Sequence, residues 1–132
     1  MGGMKILGHH LTLCLALLCA PKADAQSIDT EQQLRTFATC AGRLSAVMEH
    51  QWIFDGPASE HTKIQRAAVI DLVEAIMPTD RGREVLHWRI SAKLAQSALL
   101  TRATFNDDER DAAWAHERAQ RLRQDCTGLL LS

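Results

Sequence analysis

Cys40 and Cys126 stand far apart in this 132-residue chain, and joining them would tie the beginning of its polar part to its end. Whether they join depends on the compartment, and the first 25 residues speak to that. Lys5 supplies a positive start, and Ile6 to Ala20 is apolar apart from His9, His10 and Thr12. Pro21 breaks the run, and Ala23-Asp24-Ala25 places small residues where signal peptidase requires them. The expectation is a signal peptide over 1–25, cleavage before Gln26, and one domain over 26–132. The apolar run falls short of the roughly 20 residues a spanning helix needs, so no stable membrane span is expected after cleavage. Two other signals fail. Cys14 and Cys19 each follow a leucine rather than the small residue a lipoprotein cysteine needs. Ile6 occupies the place where N-myristoylation wants Ser or Thr.

Cys14 and Cys19 leave with the leader. An even pair then remains in an oxidising, periplasmic or secreted setting, and Cys40 and Cys126 are read as one disulfide. Closing so long a ring is worth roughly 4–5 kcal/mol in the chain-entropy model. That is large beside the total of about 5–15 kcal/mol expected for a small domain.

Charge adds an exclusion. The chain carries 15 Lys and Arg against 16 Asp and Glu, a net charge of −1. Loss of Lys5, Lys22 and Asp24 moves it to about −2. No basic field invites nucleic acid or anionic lipid.

Past the leader the apolar residues recur at three and four, the helical period, and no stretch alternates as a strand would. Ser27, Asp29 and Thr30 are candidate caps for a first helix ending near Trp52. Its stripe is Leu34, Phe37, Ala38, Ala41, Leu44, Met48 and Trp52. Asp55-Gly56-Pro57 stops it. A second helix is expected from about Ser59 to Pro78. Ile64, Ala68, Leu72, Ala75 and Ile76 form its stripe, widened by Val69, Val73 and Met77, and so apolar a helix should be well buried. A third, capped by Thr79 or Asp80 and running to about Ala103, has two stripes. One is Leu86, Ile90, Leu94 and Ala98; the other is Val85, Trp88, Ala92, Ala95 and Leu99. Arg89, Lys93 and Gln96 read as a polar strip between them. Either both stripes are core, or the Trp88 stripe faces a partner. The fourth helix starts at Asn106-Asp107-Asp108-Glu109, where an Asn or Asp cap and acids suit the helix dipole. It buries Ala112, Ala115, Ala119, Leu122 and Cys126, and ends at Gly128 before a foldable Leu129–Leu131 tail. The fold class is all-α, an up-down-up-down four-helix bundle stapled by one disulfide.

Chemistry is harder to find. There is no HxxxH or HExxH pair, no CxxCH, no GxSxG and no SxxK. The acidic run at Asp107–Asp111 lacks the glycine and alternating ligands of a calcium loop. No catalytic residue and no cofactor is assigned, and the chain is read as a non-enzyme. Two readings of its function stand. Trp52, Phe54 and Trp88 are aromatic anchors for an envelope protein partner, with a bundle-end cap against Phe105 as the structural alternative for the first two. Met48, His50 and His61, which flank one turn, form the alternative, a metal or small-ligand carrier.

The Cys-Ala-Gly-Arg-Leu block at Cys40–Leu44, the Asp55-Gly56-Pro57 turn and the closing Cys126 resemble small exported helical proteins of alphaproteobacteria with no assigned activity. The resemblance covers most of residues 26–132. It implies export and a helical fold, and brings no catalytic residue with it.

Export and the staple can be weighed directly. Intact-mass measurement of protein recovered from outside the cytoplasm should show a chain starting at Gln26 and lighter by two hydrogens than the reduced form.

Overall fold

The computed structural model describes residues 23–131 together with Met1, with side chains from Asp29 onward. The expected signal segment lies, apart from its two ends, outside the described residues. The described residues form four helices and no strand: α1 (Ala23–Phe54), α2 (Gly56–Ile76), α3 (Gly82–Phe105) and α4 (Glu109–Gly128). No helix among them is long and apolar enough to cross a membrane.

The links are short because their residues both stop and start helices. Asp55 alone separates α1 from α2. Its carboxylate accepts from the Ala58 backbone N–H at 3.2 Å, and Pro57 sits in the first turn. That is where proline's missing N–H costs nothing. The second helix therefore starts at Gly56, three residues before the expected Ser59. Asp108 caps α4, accepting from the N–H groups of Arg110 and Asp111. Neither Thr79 nor Asp80 caps α3. Its N-cap is Arg81, with no capping side chain; the Arg81 guanidinium instead reaches Glu31 at 2.7 and 2.9 Å and Glu84 at 2.8 Å.

The spine of the fold is α1, which packs against each of the other three helices; α4 also packs on α3. Two buried clusters lie along it. Leu34, Ala38, Val73 and Val85 form one, with Trp88, Ile76 and Met77 against it. Cys40, Ala41, Leu44, Val69 and Cys126 form the other, with Leu129 and Leu130 folded back onto it. The Cys40–Cys126 disulfide lies within the second, its Cα atoms 5.2 Å apart. Cys40 reaches the end of α4 from mid-helix because α1 overhangs, beginning at Ala23.

The buried face of α2 is not the expected one. Ile64 is 70 % exposed and Ala75 is exposed, while Ser59, Thr62, Val69 and Val73 are buried. With Arg66 these recur at three and four, a seam rotated by about a third of a turn from the Ile64 stripe. The half of this seam near Asp55 is polar and fully paired. Ser59 Oγ donates to the Met48 carbonyl at 2.9 Å, Thr62 Oγ1 to Gln51 Oε1 at 2.6 Å, and Arg66 Nε to Ser45 Oγ at 2.6 Å. Hydrogen bonds rather than apolar burial hold that part, so α2 is less buried than its composition led us to expect.

A second departure concerns α3. Val85 and Gln96 are its buried residues, and Leu86, Ile90 and Leu94 are exposed. The Leu86 stripe therefore faces outward and the Val85 stripe inward, and Gln96 belongs to the interior rather than to a polar strip. What holds α3 in place is its close approach to α1. A Cβ built on Gly42 would lie 2.1 Å from the Arg89 carbonyl oxygen and 3.1 Å from Ala92 Cβ. Only a residue without a Cβ lets these two backbones meet so closely.

Gly42→Ala should therefore destabilise the fold despite the roughly 1 kcal/mol gained in helix propensity. The clash is with backbone, at the upper end of the 1–3 kcal/mol typical of overpacking. A net loss of about 2 kcal/mol, roughly 10 °C in Tm, is expected by thermal melt.

Candidate functional site

Three surfaces collect the residues singled out above. The first is the end of α1. Trp52 is 80 % exposed, Ile53 is exposed, and Phe54 is 54 % exposed. Phe54 leans on the His50 ring, with centroids 4.7 Å apart, and meets Phe105 at 6.4 Å. Half of the cap arrangement is thus present, since Phe54 and Phe105 touch, yet both rings remain largely in solvent. Trp52 stands apart and lines a shallow groove with Met48, Glu49, Ser59, Glu60 and Lys63.

The second surface surrounds Trp88, which is not an open anchor. It is partly buried against the Leu34–Val85 cluster. Arg35 and Arg81 both place guanidinium carbons over its ring, at 5.4 and 5.7 Å. Arg81 is fixed in turn by Glu31 and Glu84. The Arg81 hydrogen bond holds the Glu31 carboxyl below its ordinary range. Trp88 thus closes the joint between α1 and the start of α3. The α3–α4 joint has a similar lock. Arg102 pairs with Asp111 and lies 5.1 Å from the Trp114 ring, and Asn106 also donates to Asp111. These donors, Arg102 first, lower the Asp111 pKa.

The third surface is a cleft of about 160 Å³ between α1, α3 and α4, lined by Val47, His50, Gln96, His116, Gln120 and Arg123 among others. His50 Nε2 lies 3.0 Å from Thr104 Oγ1 at its edge. Met48, His50 and His61 therefore do not converge. His50 opens onto this cleft, Met48 lines the Trp52 groove, and His61 is exposed on α2. Among the described residues no group of three or more His, Cys, Asp or Glu is placed to hold a metal ion.

Two features of α3 are not legible in its apolar pattern. One is the outward Leu86–Ile90–Leu94 stripe, which periodicity reads as core. The other is Gln96. Its signal was present, since Val85, Arg89, Ala92, Gln96, Leu99 and Ala103 alternate at four and three without a break. That phase runs through the interior.

The tryptophans can be separated in solution. Trp52, with a smaller share from the half-exposed Trp114, should account for quenching by acrylamide, and Trp52→Phe in a Trp114→Phe background should remove the quenchable, red-shifted emission. Trp88→Phe should leave it in place while lowering Tm.

No protein-family model matches this chain, no characterised protein matches it in sequence, and no solved structure matches its fold.

Proposed function

We propose that this is an exported, non-enzymatic accessory domain that docks an envelope protein through the outer face of α3. The observation that carries this reading is the inversion of that helix. Leu86, Ile90 and Leu94, with Leu94 65 % exposed, run along an outer side about a third of a turn round from the buried Val85 and Gln96. A row of large apolar side chains at four-residue spacing is the pattern an amphipathic helix lays itself against. Phe105 lies on the same helical face and touches Phe54, so the stripe continues into the aromatic end. Trp52 and Phe54 keep their role as anchors in this reading; Trp88 serves the joint behind them.

Charge selects the kind of partner. Glu84 is the only acid in α3, beside Arg83, Arg89, Lys93 and Arg102. Lys93 is held by Glu49 at 2.6 Å, and Arg102 by Asp111. Arg83 stays on the outer face next to the stripe. The complementary occupant is an amphipathic helix with acidic flanks. An up-down-up-down order of helices, a cleaved leader and a periplasmic location complete the proposal. In support of the order, Lys93 meets Glu49 and Arg81 meets Glu31, so α3 follows the numbering of α1, while Thr62–Gln51 and Arg66–Ser45 run against it.

Changing Leu86, Ile90 and Leu94 together to Gln tests the surface. These residues are exposed, so Tm should move by only a few degrees. A photo-crosslinker at Leu94 in cells should join the acid-flanked helix of another envelope protein, and an Ile90→Gln, Leu86→Gln background should abolish the adduct. Adducts only with a second copy of this chain, adducts unchanged by the substitutions, or unfolding of the triple variant would overturn the reading.

A further inference from the structure

The cleft between α1, α3 and α4 holds a group that the protein itself does not satisfy. Gln96 is 1 % exposed and lines the cleft. Its Nε2 donates to the Ala119 carbonyl at 3.1 Å, which fixes the sense of the amide. Its Oε1 is buried and accepts no hydrogen bond. An amide carbonyl left so pays its desolvation without recompense, and it calls for a donor. The terminal amide torsion is soft, so a small rotation that keeps the bond to Ala119 can bring Oε1 toward a donor entering the cleft.

The other polar groups point to an anion. Arg123 lines the cleft and pairs with no acid among the described residues. His50, His116 and Gln120 add further nitrogen donors, and no Asp or Glu lines the space. A carboxylate matches a guanidinium in charge and in its two-pronged geometry. An ammonium group in the same ligand would have no acid to meet, so the donor for Gln96 is better supplied by a neutral hydroxyl. Size narrows the class further. An apolar cavity of about 150 Å³ holds benzene, six heavy atoms; the volume here, about 160 Å³, admits a molecule of that order.

We propose that this cleft is a binding site for a small hydroxycarboxylate of the size of glycolate or lactate, its carboxylate on Arg123 and its hydroxyl donating to Gln96 Oε1. The site uses neither Met48 nor His61, and it is separate from the outward stripe of α3. The protein would then carry or sense a small acid on one side of α3 while presenting a docking face on the other.

Titration of the intact, oxidised protein with L-lactate, followed by calorimetry and by the imidazole NMR signals of His50 and His116, tests it. Lactate should bind with a Kd of about a millimolar or tighter. Propionate, which lacks the hydroxyl, and propane-1,2-diol, which lacks the carboxylate, should each bind at least about tenfold more weakly. Arg123→Gln should weaken lactate by at least tenfold with Tm nearly unchanged. Gln96→Met should do the same, and should bring lactate and propionate to equal affinity. No binding of lactate, propionate binding as well as lactate, or full affinity in Arg123→Gln would overturn the proposal. The ligand series on the unaltered protein decides the matter even if Gln96→Met fails to fold.

Discussion

Everything in this structure depends on one helix being narrow enough to serve three neighbours. From Ala38 to Ala46 the buried positions of α1 are Ala38, Cys40, Ala41, Gly42, Leu44, Ser45 and Ala46, nearly all small. Small residues bring neighbouring axes in and let backbone approach backbone, most closely where Arg89 passes Gly42. The gain is contact on several sides of a single helix. The consequence is a thin core, because alanine and glycine bury little apolar area for each residue ordered.

A thin core explains the other devices. The disulfide sits inside the cluster it helps to hold, with Cys40 and Cys126 both buried, so it limits the unfolded chain and also fills space. Arg43, beside it, is partly desolvated, and burial lowers its pKa; its Nη1 lies 4.0 Å from Cys126 Sγ. Elsewhere the joints rely on arginine. Arg81 ties Glu31, Glu84 and Trp88 together at one end, and Arg102 ties Asp111 and Trp114 at the other. Exposed pairs of this kind each add little to stability. Their value lies in fixing where α3 begins and where α4 turns back.

The sequence exposed the helices well and their rotations poorly. Four helices, an Asn or Asp cap before α4, the Gly128 stop and the buried face of α4 could all be read, because caps, glycines and an unbroken Ala-Ala-Leu-Cys periodicity are local signals. The pairing of Cys40 with Cys126 was legible because removal of the expected leader leaves no other choice. The faces of α2 and α3 were not legible. Hydrophobicity ranks Ile64, Ala68 and Leu72 above Ser59, Thr62 and Arg66, yet the latter meet α1 because Ser45, Met48 and Gln51 offer them hydrogen-bond partners. Those partners lie on another helix, out of reach of any local window. The role of Gly42 was hidden for the same reason, since a glycine inside a helical pattern signals a close approach without saying by what.

The inversion of α3 follows from these same constraints. Gly42 sets the distance between α1 and α3, and at that distance the facing side of α3 has room for Val85, Ala92 and the slender amide of Gln96, not for the branched stripe of Leu86, Ile90 and Leu94. The bulky residues are turned outward by geometry. A helix whose apolar side chains are turned toward water by the packing of its own backbone forgoes part of the burial free energy they could supply; Leu86, Ile90 and Leu94 are each about half exposed or more. The docking partner proposed above would cover that side of α3. An outward stripe and an inward amide are therefore two results of one close contact between α1 and α3.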